Sequence, residues 1–197
     1  TIDGWDGEAW AGYGAIADRL AGHAAGRAKT IVTVECYPAV RIEEIAAGLA
    51  PLRPVRIIRS EEAALGPEEL QAKLERYLTD DRVFGYMAPF VIEEFYDSRK
   101  LRHLKDQVSE VREGVVLIIG FGASLVDRGD VLVYADLARW EIQLRYRSKE
   151  FGNWRAGNEG EDILRKYKRG FFVEWRTADR LKRELLERAD YYLDKNR

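Results

Sequence analysis

Seven cations mark the chemistry this sequence could do: Arg41, Arg145, Arg147, Arg165, Lys166, Lys168 and Arg169. Four of them crowd into Arg165-Lys-Tyr-Lys-Arg169, and with Arg145 and Arg147 they flank the polar, glycine-bearing stretch from Ser148 to Glu161. Arginine forks match phosphate oxygens and lysine supplies a point charge, so two such clusters around a loop could grip a phosphorylated ligand. The competing reading is a solvated face whose charges pair with Glu141, Glu150, Glu161 and Asp162, as charge runs usually do.

Two acids stand at the ends of apolar runs, Glu35 and Asp136, where burial would shift a carboxyl toward acid–base work. Nucleophilic catalysis has no support, because Cys36 has no neighbouring His and there is no Gly-x-Ser-x-Gly elbow. A zinc set has only His23, His103 and Cys36 to draw on, at wide spacing. We expect no metal site and no cofactor in this chain.

The elements that must position these residues alternate between strand and helix. Thr30–Glu35, Val55–Ile58, Val115–Ile119 and Val131–Ala135 are short, nearly continuous apolar runs, the pattern of strands covered on both faces. Between them fall helical patterns over 40–49, 67–78 and 97–112, with Pro67 at a helix start. Trp5, Trp10, Tyr13, Ile16 and Leu20 suggest a first helix over about 6–21. Val83–Met87 reads as a strand or extended segment, Ser148–Glu161 as a mobile lid or surface loop, Phe171–Arg188 as a long helix, and Tyr191–Leu193 as an edge strand. Such alternation implies an α/β fold, a three-layer αβα sandwich around a mainly parallel sheet. Ligands in such sheets sit beyond the carboxyl ends of the strands.

Composition narrows the partners. Lys and Arg number 32 against 34 Asp and Glu, a net charge of −2 over 197 residues. That balance argues against nucleic acid, whose phosphates need a surplus of cations. No apolar run approaches the ~20 residues of a membrane span, so we expect no membrane partner. Cys36 is the only cysteine, so no internal disulfide forms and a cytoplasmic home is expected. The chain starts without Met, and we read it as one α/β domain over residues 1–197 of a longer protein.

The setting of a triphosphate cradle, a strand, a turn and a helix, is present at Thr30 to Leu49, but its motif is not. The turn reads Glu35-Cys-Tyr-Pro-Ala-Val-Arg41: it has no glycine, Pro38 removes an N–H, Glu35 would repel phosphate, and Arg41 is the one cation nearby. A second glycine turn, Gly120-Phe-Gly-Ala-Ser124, allows close backbone approach but is too short for a dinucleotide fingerprint.

Two resemblances meet at these residues. Val115-Val-Leu-Ile-Ile-Gly-Phe-Gly-Ala-Ser-Leu125, then Gly129-Asp-Val-Leu-Val-Tyr-Ala-Asp-Leu137 and Arg145-x-Arg147, resembles the back half of uridine-kinase-like members of the P-loop kinase fold. The topology implied is that of P-loop NTPases, without a Walker A motif. Val34-Glu-Cys-Tyr-Pro38, Tyr77–Asp81 with Val83-Phe-Gly85, Asp130–Gln143 and Arg165–Val173 through Arg180 resemble the domain that precedes the cupin barrel in bacterial class I mannose-6-phosphate isomerase-like proteins. That resemblance implies an accessory, non-catalytic kinase-like domain whose partner is its own C-terminal cupin domain. Zinc and the isomerase chemistry belong to that barrel, and no catalytic residue carries over to this chain. Two alternatives stay open: a small-molecule phosphotransferase with a degenerate phosphate loop, and a protein-interaction module using Trp5, Trp10, Trp154 and Trp175.

Overall fold

The structure is a computed structural model that describes residues 7–196. One sheet organises it: β1 (Lys29–Cys36), β2 (Arg56–Arg59), β3 (Gly114–Gly120), β4 (Val131–Asp136) and β5 (Tyr191–Asp194). All pairings are parallel and the order is β2-β3-β1-β4-β5. Five consecutive residues of β1, Val32 to Cys36, are buried, and so are all six of β4. A strand buried at every position has both faces covered, so this is the αβα sandwich expected from the apolar runs. The outermost strand, β5, alternates half-buried and exposed residues and keeps one face toward solvent.

The helices are α1 (Tyr13–Ala24), α2 (Ile42–Gly48), α3 (Pro67–Leu78), α4 (Ser98–Glu110), the single turn α5 (Ala123–Val126), α6 (Arg139–Arg147), α7 (Ile163–Arg169) and α8 (Trp175–Leu186). Local chemistry sets several boundaries. Pro67 opens α3 where no N–H is needed. Asp97 caps α4 by accepting from the Arg99 and Lys100 amides, and Asp162 caps α7 by accepting from those of Leu164 and Arg165.

Four expectations need correction. The first helix begins at Tyr13, because Gly12 holds a positive φ of 85° just ahead of it; Trp5 lies outside the described residues. Of the two readings of Val83–Met87, strand or extended segment, the strand falls: the Val83 and Phe84 amides go to Asp81 and the Tyr86 amide to Tyr77. The segment over 148–161 is anchored: Asn153 is buried and donates to Tyr146, to Glu174 and to the Lys166 carbonyl. The late helix starts earlier, at Ile163, and passes through a π turn at Gly170–Glu174 into α8. There a Cβ on Gly170 would lie 2.7 Å from the Trp175 indole, so only glycine lets that ring pack across the turn. Among the described residues, no helix is long and apolar enough to cross a membrane.

Candidate anion-binding site

The turn after β1 is short. Tyr37 to Arg41 separate β1 from α2, and α2 itself has seven residues. The Tyr37 amide donates to the Ala135 carbonyl and the Val40 amide to the Tyr37 carbonyl, so neither points at an open space. Ala39 takes φ 67°, and its carbonyl accepts from Arg145 Nη1 at 2.7 Å. Two amides and one carbonyl of this turn are therefore satisfied within the protein.

Arg145 is the residue that braces the turn. It is fully buried in α6, pairs with Glu141 four residues earlier (3.1 Å), and also donates to the Lys195 carbonyl. Arg41 makes a two-pronged bond to Glu150 at 2.6 and 3.0 Å. Arg147 is exposed, donates to the Tyr167 hydroxyl and stacks on Trp140. Lys166 is buried and donates to the Tyr146 and Glu159 carbonyls at 2.6 and 2.7 Å. Lys168 holds the Thr79 and Asp81 carbonyls. Burial lowers the pKa of both lysines. Arg169 reaches Glu174, Gln71 and the Trp154 carbonyl at 2.8, 2.8 and 3.1 Å. Arg165 is exposed, and its guanidinium has no partner among the described residues.

The structure brings three of these seven cations to one place. Arg165, Lys168 and Arg169 line a cleft of about 690 Å³ between α3 and the segment leading into α7. A fourth cation, Arg155, joins them. It sits at φ 58°, an unusual conformation for a side-chain-bearing residue, and its Nε is buried without a hydrogen-bond partner. The cleft lining also carries Glu68, Gln71 and Glu75 from α3, and Asn158 and Glu161. Arg41, Arg145, Arg147 and Lys166 are not among its lining residues. Sequence reasoning missed Arg155 because a lone arginine in an irregular loop carries no periodic signal.

The two acids are placed differently from each other. Glu35 is completely buried near the end of β1, opposite Gly120 and Tyr134. Its carboxylate accepts from the Gly122 and Ser124 amides at 2.5 and 2.9 Å, and Glu61 accepts from the Phe121 amide at 3.0 Å. The glycine turn is therefore a cradle after all, and the protein's own carboxylates lie in it. A positive φ at Gly120 and Gly122 aims these amides inward, and a Cβ on Gly120 would lie 2.3 Å from Glu61. Burial pushes the Glu35 carboxyl up to about 7, against the pull of the two amides. Enclosed in this way, Glu35 shapes the turn and does not face a substrate. Asp136, at the end of β4, binds Lys182 at 2.5 Å and the Tyr192 hydroxyl, while its second oxygen is buried without a partner.

Among the described residues no group of three or more His, Cys, Asp or Glu is arranged to hold a metal ion. The aromatic set also needs correction. Trp175 is buried, and Trp154 packs among Phe95, Tyr96 and Phe121, so neither is an exposed contact.

Comparison with known proteins bears on the fold. A crystal structure from Silicibacter sp. TM1040, of a protein provisionally described as a fructose transport system kinase, superposes with a TM-score of 0.56 at 13% identity. The match covers 93% of this chain and 99% of that one, and supports a P-loop-kinase-like fold. No curated protein matches the sequence. A family profile described as "Domain of unknown function (DUF8485)" matches residues 12–197. With nearly its whole length inside that profile, this chain belongs to the DUF8485 family and carries it on a P-loop-kinase-like sandwich.

Proposed function

We propose that this chain is a non-catalytic kinase-fold domain that binds a phosphorylated small molecule in the cleft beside α3. The observation that carries the reading is the convergence of Arg155, Arg165, Lys168 and Arg169 on one cleft, with a buried guanidinium N–H left over. An orphaned buried donor costs about 1–3 kcal/mol, and a shift of the Arg155 side chain toward a ligand oxygen would offset it. The carboxylates and amides that also line the cleft suit hydroxyl groups, and a sugar phosphate combines both features. That class, and a place beside a cytoplasmic mannose-6-phosphate isomerase-like cupin with its zinc, rest on the sequence resemblance. The non-catalytic part rests on the closed turn after β1, where Arg145 and the Ala39 carbonyl meet.

Calorimetry on the purified chain tests this with hexose 6-phosphate, inorganic phosphate and ATP–Mg. Saturable hexose-phosphate binding, weakened about ten-fold in Arg165→Ala, is expected. Arg165 is chosen because its guanidinium holds nothing else in place. ATP–Mg should not bind at about millimolar concentration. ATP–Mg binding with phosphate transfer to a sugar would replace this reading with the phosphotransferase one. Hexose-phosphate binding unchanged in Arg165→Ala would remove the cleft from it.

A further inference from the structure

Lys168 also lines a second depression, an apolar groove of about 360 Å³ floored by Val83, Phe84, Tyr167, Phe171 and Trp175. No carboxylate lines it. Around it Phe84 is 71% exposed, and Tyr86, Met87 and Trp140 also face solvent. An apolar groove with exposed Phe84 and Phe171 in its lining is the kind of surface that marks an interaction site.

The loop that presents these side chains is built, not frayed. The Asp81 carboxylate accepts from the Val83 and Phe84 amides, both at 2.6 Å. The Tyr86 amide donates to the Tyr77 carbonyl and the Ala88 amide to the Phe172 carbonyl. Arg82 forks onto Asp162, and Lys168 closes the loop from inside. Gly85 presses so close that a Cβ would lie 2.4 Å from the Tyr77 carbonyl oxygen. A loop held at this many points spends its hydrogen bonds on keeping apolar side chains outward.

Its rim is cationic. Arg147 stacks over Tyr167 and Trp140, and Arg176 stacks over Phe171. Neither arginine has a carboxylate partner among the described residues, whereas Arg139, stacked on Trp175, is tied to Asp179. We propose that this groove docks an acidic amphipathic helix of a partner protein. Apolar side chains at i, i+3, i+4 and i+7 would enter the groove, and flanking carboxylates would meet Arg147 and Arg176. A second copy of the chain fits less well, since a two-fold contact sets this same cationic rim against itself.

Fluorescence anisotropy on the full chain tests the proposal, using a labelled synthetic helix of about 18 residues, about 27 Å long. The probe carries Leu and Phe at the groove positions and Glu elsewhere; one control replaces Glu by Lys, the other replaces Leu and Phe by Ser. The acidic amphipathic probe should bind saturably and both controls should fail. Phe84→Ser, and separately Arg147→Glu with Arg176→Glu, should each weaken it at least about ten-fold. Phe84 and Arg147 are exposed, so unchanged thermal melts are expected and show that the fold is intact. Equal binding of the Lys control, no binding up to about 1 mM, or affinity unaffected by these substitutions would overturn the proposal. So would a Phe84-dependent dimer in light scattering, which would make the occupant a second copy.

Discussion

Glu35 shows how one residue type carries two readings. As a carboxylate at a strand end it suggests acid–base catalysis, but in the fold it lies sealed against the Gly122 and Ser124 amides. Its folded-state carboxyl is raised from 4.5 to about 7, so between those values the folded chain holds a proton that the unfolded chain has released. Stability from this group is therefore present below pH 4.5 and is lost as pH rises through 7, by about 3 kcal/mol. Urea unfolding at pH 4.5 and pH 8 should show that loss in the natural chain and a flatter profile in Glu35→Gln, which mimics the protonated acid. Parallel profiles would show that the amides keep Glu35 ionised throughout. The acid itself is legible in the sequence. Its enclosure is not, because it depends on a turn 87 positions later in the chain.

At the scale of elements, the three central strands, β3, β1 and β4, are legible because a strand covered on both faces writes a continuous apolar run. The loops are not, since their positions are set by single side chains reaching from far away. The basic run Arg165–Arg169 illustrates this. On a helix its members point in different directions, so Lys166 faces the 146–159 carbonyls while Arg165 and Arg169 face the cleft. Arg169 also neutralises Glu174 across the π turn, and the side chains of both are at least 94% buried. Arg169→Met should therefore cost about 3–5 kcal/mol in chemical denaturation, because Glu174 keeps its charge and loses its counter-ion. A loss under about 1 kcal/mol would mean that Asn153 and Tyr146 suffice to hold that carboxylate.

At the scale of the molecule, the strand order is that of a kinase-like sandwich while the turn after β1 is closed. The 148–161 segment, which sequence alone reads as a mobile lid or a surface loop, is tied down by Asn153, Lys166 and Arg169. Amide exchange at Asn153 and Ala156, whose N–H groups are bonded to Asn158 and Asn153, should be slow, within reach of the slowest core amides. Fast exchange there would show that the segment opens. Lys168 belongs to both the cleft and the groove, and its ammonium fastens the loop that displays Phe84. Under the two proposals above, an anion that drew this ammonium into the cleft would take it from the Thr79 and Asp81 carbonyls, so binding at the two surfaces would be thermodynamically linked. Whatever factor a bound anion imposes on a helix in the groove, that helix must impose on the anion in return.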